Sequence, residues 1–180
     1  MTNGLHEVMF VSRTKDNNNL QNFKQRKLNF VSKKKPEELM GEFHLFGERG
    51  IPGEISRFYY STNARKEEKL KNKVQHYLLD NDDIDWENFQ KVLSSLVKKN
   101  DMKAARYLSW DIDVSDDIAM QFKNYMENAP DVTYFEMYKT HTNWGAVSNR
   151  CDVRPMTELH PDITFKSDGD RFICSYTKQK

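Results

Sequence analysis

Two aspartates separated by one residue, Asp111 and Asp113 in Trp110-Asp111-Ile112-Asp113, are the sharpest chemical signal in this sequence. On an extended strand, residues i and i+2 project from the same face, with Cβ atoms roughly 6–7 Å apart. That spacing lets both carboxylates reach one divalent cation or a two-metal pair. Mg²⁺ or Mn²⁺ is the expected ion, because hard cations favour carboxylate and phosphate oxygen. Such ions neutralise a triphosphate and align an attacking hydroxyl. On spacing alone, the same pair also reads as two solvated carboxylates on a half-exposed strand.

A second cluster is Arg57-Phe58-Tyr59-Tyr60-Ser61-Thr62-Asn63, followed by Ala64 and Arg65. Strand alternation places Arg57, Tyr59, Ser61 and Asn63 on one face, and Phe58, Tyr60 and Thr62 on the other. The first face offers phosphate binding through Arg57 and base stacking on Tyr59. Its plainer reading is an ordinary strand with a snorkelling Arg57 and a helix N-cap at Asn63. A third feature, Lys24 to Lys35, carries six cations and no acid. It reads either as a contact for a phosphate backbone or as a solvated loop or helix face.

Other chemistries find no pattern. The five histidines lack zinc-ligand spacing. Cys151 and Cys174 make neither a metal spacing nor a disulfide framework. There is no phosphate-binding G-x-x-x-x-G-K-[ST] loop and no G-x-S-x-G nucleophile elbow.

The elements that must position these residues follow from periodicity. Leu5–Arg13 reads as a first strand, Asn17 to Asn19 as a loop, and Gly47 to Gly53 as a second loop. Arg57–Asn63 reads as a strand. A helix is expected from Ala64 to Leu79, with Leu70, Val74, Tyr77 and Leu78 on one side. A second helix carries Phe89, Val92, Leu93, Leu96 and Val97 at amphipathic spacing. Arg106–Val114 reads as the strand of the acid pair, with Leu108, Trp110, Ile112 and Val114 facing inward. A third helix is expected over Asp116–Asn128, N-capped by Ser115. Val132–Thr140 and Trp144–Ser148 read as strands, and Asp162–Lys166 with Arg171–Tyr176 as a final hairpin turning at Ser167 to Asp170. This order predicts an α+β fold, a largely antiparallel or mixed sheet with helices packed on one face.

Length and composition bound the rest. The chain has 180 residues, 28 Lys+Arg against 27 Asp+Glu and a net charge of +1, so global charge predicts no polyanion partner. That length suits one domain with a sizeable core. No apolar run suggests a membrane span, and no secretory signal is visible, so a cytoplasmic protein is expected.

Four segments in order resemble small phage-borne members of the archaeo-eukaryotic primase (primase-polymerase) superfamily. They are Arg57 to Arg65, then Trp110 to Asp113 as the D-x-D metal motif, then Lys139 to Arg154, and last Ile163 to Thr177. Together they span about two thirds of the chain. The resemblance implies residues 56–180 as a primase-polymerase or RNA-recognition-motif-like core, with 1–55 as an N-terminal strand and basic loop region of the same single domain. It implies Asp111 and Asp113 as catalytic metal ligands, Mg²⁺ or Mn²⁺ as cofactor, and Arg57, Arg65 and Lys139 as phosphate contacts. Tyr59 and Asn63 complete the implied nucleotide or nucleic-acid surface. Where the family places a nucleotide-binding His, this chain has Gly145 or Val147. Thr164 falls at the position of the last acid, with Asp168 or Asp170 the nearest substitutes.

The implied activity is metal-dependent nucleotide or nucleic-acid handling, up to nucleotidyl transfer. Two alternatives stay open. The same fold could serve as a catalytically inactive nucleic-acid-binding module. The oppositely charged segments Lys24–Lys35 and Asp80–Glu87 also suit a phage protein that inhibits a host or defence protein in the host cytoplasm.

Overall fold

The computed structural model describes residues 4–98 and 100–179. Eight strands divide between two four-stranded antiparallel sheets, so the fold is α+β as the element order predicts. The strands of one sheet are β1 (His6–Ser12), β2 (Arg26–Ser32), β3 (Ile55–Ser61) and β8 (Asp170–Thr177), in the order β2-β1-β3-β8. The other holds β4 (Leu108–Ile112), β5 (Phe135–Lys139), β6 (Trp144–Ser148) and β7 (Ile163–Lys166), in the order β5-β6-β4-β7.

Each sheet buries one face against helices. In the first, α1 (Met40–Glu48) lays Phe43 against Val8, Phe10, Phe58 and Tyr60. The aromatic rings pack edge-on, with Phe10 and Phe58 centroids 4.9 Å apart. In the second, α4 (Asp116–Asn128) and α5 (Arg154–Leu159) cover Leu108, Trp110 and Ile112 with Ala119, Phe122, Met126 and Met156. The α4 bounds match the helix expected from the sequence, and Ser115 stands at the N-cap position, where its hydroxyl makes no capping hydrogen bond. A smaller core joins α2 (Glu67–Asp80) and α3 (Phe89–Val97) through Leu70, Val97 and Met102, with Val31 of β2 packed against it. Among the described residues, no helix is long and apolar enough to cross a membrane.

Several local expectations are corrected. The basic segment Lys24 to Lys35 contains strand β2 rather than a loop or helix face, because its alternation lets it pair with β1 along seven residues. The loop expected over Gly47 to Gly53 starts two residues later, because α1 runs to Glu48. The final hairpin does not form: β7 pairs with β4, while β8 pairs with β3 in the other sheet. The Ser167–Gly169 turn therefore crosses between sheets. Residues before 55 pair directly with β3, so a boundary near 56 falls inside one continuous sheet.

The sheet faces turned away from α1 and from α4 and α5 look toward one another across a cleft. A register slip opposite Phe58 and Tyr59 leaves Ile173 as an extra residue in β8. That bulge sends Phe172 to the cleft side and Cys174 to the helix side, although they are two residues apart.

Candidate functional site

The cleft between the sheets is about 620 Å³. Its two walls have different chemistry. From the β1-β2-β3 sheet come Arg13, Lys15, Lys27, Arg57 and Tyr59. From the other come Asp111, Asp113, Tyr138, Asn143 and Lys166. Asp168, Gly169 and Asp170, at the crossing, also line it.

Strand β4 is shorter than the Arg106–Val114 expected: it places Asp111, and Asp113 follows directly after its last residue. Trp110 and Ile112 are fully buried on the helix side, while Asp111 is half-exposed and Asp113 exposed on the cleft side. The Lys166 Nζ donates to Asp111 Oδ2 at 2.6 Å, and this bond holds the Lys166 ammonium above its usual range. The Asn143 amide donates to Asp113 Oδ1 at 2.7 Å. Asp111 lies opposite Gly145 on β6 and Thr164 on β7. A Cβ on Gly145 would come within 2.7 Å of the Tyr138 ring, so glycine here is the space that ring occupies. The Arg171 guanidinium stacks 4.9 Å from the Tyr138 centroid, and burial pushes the phenol up to about 12.

The facing wall is electropositive after its pairs are counted. Asp16 accepts from both Arg13 and Arg57, so this trio keeps one net positive charge. Burial alone would raise the Asp16 carboxyl, but the bond from Arg13 and the charges of Arg57 and Arg13 leave it lowered. Arg57 also reaches the Tyr59 hydroxyl at 3.4 Å, and the Tyr59 ring packs edge-on to Phe172 at 5.7 Å.

Asp111, Asp113, Arg57 and Tyr59 therefore share one cleft. Asn63, Arg65 and Lys139 do not line it. Asn63 is fully buried: its Oδ1 accepts from the Tyr107 N–H at 2.8 Å and its Nδ2 donates to the Tyr107 carbonyl at 3.0 Å. It pins the end of β3 to the start of β4 instead of capping a helix, and α2 begins later, at Glu67. Arg65 is buried, and its Nη1 donates to both carboxylate oxygens of Asp168 at 2.8 Å. Lys139 lines a neighbouring cavity of about 410 Å³. There its Nζ bonds Asp116 at 2.9 Å and sits 3.8 Å over the Trp144 ring.

Arg13 and Lys15 are the part of this wall that local sequence patterns miss. Lys27 belongs to the basic segment Lys24 to Lys35, and the cleft brings all three opposite the acids.

Asp170 starts β8 in the cleft and keeps contact with solvent. Desolvation between the walls pushes its carboxyl up, offset in part by Lys98 and Arg65 and reinforced by Asp168. A carboxyl raised by folding adds stability at acid pH that is lost as pH climbs through the raised value. Asp170→Asn, permanently neutral, should therefore be more stable than the parent at neutral pH. The gain should vanish on acidification below about pH 4, where Asp170 is protonated in both states. Equal urea midpoints for parent and variant at both pH values would contradict this.

The donor set fits a cation that keeps most of its shell in water and phosphate oxygen, as Mg²⁺ commonly does with one or two carboxylates. Among the described residues, no group of three or more His, Cys, Asp or Glu side chains forms a metal cage. Lys166 already neutralises Asp111, so a divalent ion there must displace its ammonium. No protein-family model, curated protein or solved structure matches this chain.

Proposed function

We propose that this protein binds a nucleotide or the end of a nucleic-acid strand in the intersheet cleft, with a divalent cation held by Asp111 and Asp113. Nucleotidyl transfer, as in the primase-polymerase superfamily the sequence resembles, is the reaction this arrangement would serve. The observation that carries the reading is the pairing of walls: Asp111 on β4 and Asp113 just beyond its end face Arg13, Lys15, Lys27, Arg57 and Tyr59 across one cavity. Phosphates suit the cationic wall, and a base suits the Tyr59 ring. The cation would neutralise phosphate charge, while the chain's own groups orient the ligand. Tyr138, with its raised phenol, stays protonated at neutral pH and is available as a donor or a stacking face.

Mn²⁺ titrations followed by electron paramagnetic resonance, with and without a nucleoside triphosphate, test this. The triphosphate should tighten Mn²⁺ binding. Asp111→Asn and Asp113→Asn should each weaken it on the order of tenfold, ~1.4 kcal/mol. Mn²⁺ binding that is absent, or indifferent to both substitutions, overturns the metal reading.

One observation favours a metal-free alternative. The Lys166 ammonium lies 2.6 Å from Asp111, where it supplies the positive charge a cation would bring. In that case the cleft binds nucleotide without chemistry, and a chelator leaves affinity unchanged. Lys166→Met separates the two. It should tighten Mn²⁺ binding if Asp111 is a ligand, and weaken metal-free nucleotide binding if Lys166 is the phosphate contact.

A further inference from the structure

The face of the β4–β7 pair opposite the acids carries a second groove, of about 650 Å³. Its floor is Leu108 and Phe165, which alternation turns away from Asp111 and Lys166, together with Val153 and Cys151. Phe165 is 40% exposed and its ring packs 5.6 Å from Trp110. Four cations stand around this floor: Lys66, Lys103, Arg106 and Arg150.

These four stand together with no acidic partner among the described residues. Many cations elsewhere are neutralised, as in Arg13–Asp16, Arg26–Glu54, Lys33–Glu67, Arg65–Asp168 and Arg171–Glu136, while Lys15 and Lys27 on the cleft wall are, among the described residues, unpaired as well. Among the described residues, none of Lys66, Lys103, Arg106 and Arg150 joins a salt bridge. The one acid of the groove, Asp101, is held by Lys69 and Lys73. A near-neutral chain has thus gathered uncompensated positive charge around an exposed aromatic ring. None of the groove's lining residues lines the cleft.

We infer that this groove binds a single-stranded nucleic-acid segment, with bases stacked on Phe165 and phosphates held by Lys66, Lys103, Arg106 and Arg150. Every base has a π-face, so an exposed ring flanked by cations binds strands with little sequence preference. An acidic peptide would use the cations and leave the ring without a stacking partner. Lys103 is already fixed, its Nζ donating to the Ser167 carbonyl at 3.1 Å. The same turn continues into Asp168 and Gly169 of the cleft. The groove binding does not depend on the cleft reading.

The test is fluorescence anisotropy of a labelled oligothymidylate of ~15 nucleotides, a length within the range one such surface covers. Parent, Arg106→Gln/Arg150→Gln, Phe165→Leu and the control variant Arg49→Gln are compared between roughly 50 and 200 mM salt. Removing two phosphate contacts should lower the slope of log affinity against log salt by about 1.4. Phe165→Leu should weaken binding about fivefold or more while leaving that slope unchanged. Arg49→Gln, an exposed cation away from both sites, should leave oligonucleotide binding intact, and the Mn²⁺ titration reads the cleft separately, so failure of the cleft reading and failure of the groove are told apart. Cys151 provides a second readout that needs no substitution. Bound oligonucleotide should slow its alkylation and leave that of Cys174, in the other sheet, unchanged. Unchanged affinity and slope in the arginine variant overturn the inference, as do equal protection of both cysteines and displacement by polyglutamate as effective as by oligonucleotide.

Discussion

Arg65→Ala should lower the unfolding free energy by about 3–5 kcal/mol, the cost of stripping one partner from a buried ion pair. The Arg65 side chain is 3% exposed and that of Asp168 17%. One guanidinium nitrogen, Nη1, donates to both carboxylate oxygens at 2.8 Å, and the charge on both partners places the bond among the stronger kind. What the pair joins matters as much as its burial. Arg65 follows β3, and Asp168 lies in the turn that carries the chain from β7 into β8, so the bond fastens one sheet to the other. Gly169 beside it packs so closely on Ser109 that a Cβ would lie 2.5 Å from the serine Cβ. Without Arg65, the Asp168 carboxylate is left desolvated in a junction that has no room to open. The double variant Arg65→Met/Asp168→Asn should recover at least half of the loss, because no lone charge remains. Urea unfolding followed by circular dichroism reads both, and the single variant should shift the midpoint by roughly 2 M or more. A loss below about 0.5 kcal/mol would place the pair with exposed surface bridges and remove its role as a fastener.

The Arg65 result also explains what the sequence could and could not reveal. Arg57 to Arg65 reads locally as one functional strip of cation, aromatic and amide. The structure splits it: Arg57 and Tyr59 reach the cleft, whereas Asn63 and Arg65 are consumed in joining the sheets. Nothing in a strand's own alternation distinguishes these fates, because the partners of Asn63 and Arg65 lie 44 and 103 positions away. By contrast, β4 was legible because its inward residues are large and apolar and its outward ones are acidic. The amphipathic stripe of α4 was legible for the same reason. Helix α1 was hidden by Gly41 and Gly47, although Gly47 only makes room for the Tyr176 ring. The β7–β8 turn has the composition of a hairpin, Ser-Asp-Gly-Asp, yet strand pairing is a non-local choice, and each strand finds a better-matched neighbour elsewhere. The cationic wall of the cleft depends on the same kind of pairing.

Trp110→Ala should be comparably severe, costing about 3–5 kcal/mol, because it empties the centre of the second core. Trp110 is fully buried, with the Phe122 ring 5.3 Å away on one side and Phe165 5.6 Å away on the other. Its indole N–H donates to the Ser148 hydroxyl at 2.9 Å, which also ties β4 to β6. Trp110→Phe keeps most of the aromatic contact and loses the hydrogen bond, so about 1–3 kcal/mol is expected. The two variants separate packing from function because the indole supports both candidate sites at once. Its strand neighbours Asp111 and Asp113 take their direction from it, and Phe165 rests against its ring. In Trp110→Phe, the strand still has a large inward anchor, so Mn²⁺ binding at the acids should stay within about twofold of the parent, under 0.5 kcal/mol. Oligonucleotide affinity should fall further than that, because Phe165 loses part of the surface that orients it. Urea midpoints give the stability half of this comparison, and paramagnetic resonance with anisotropy gives the other. If Mn²⁺ binding collapses in the phenylalanine variant while the urea midpoint barely moves, strand alternation is not what aims the carboxylates, and the derivation of the cleft from β4 fails with it.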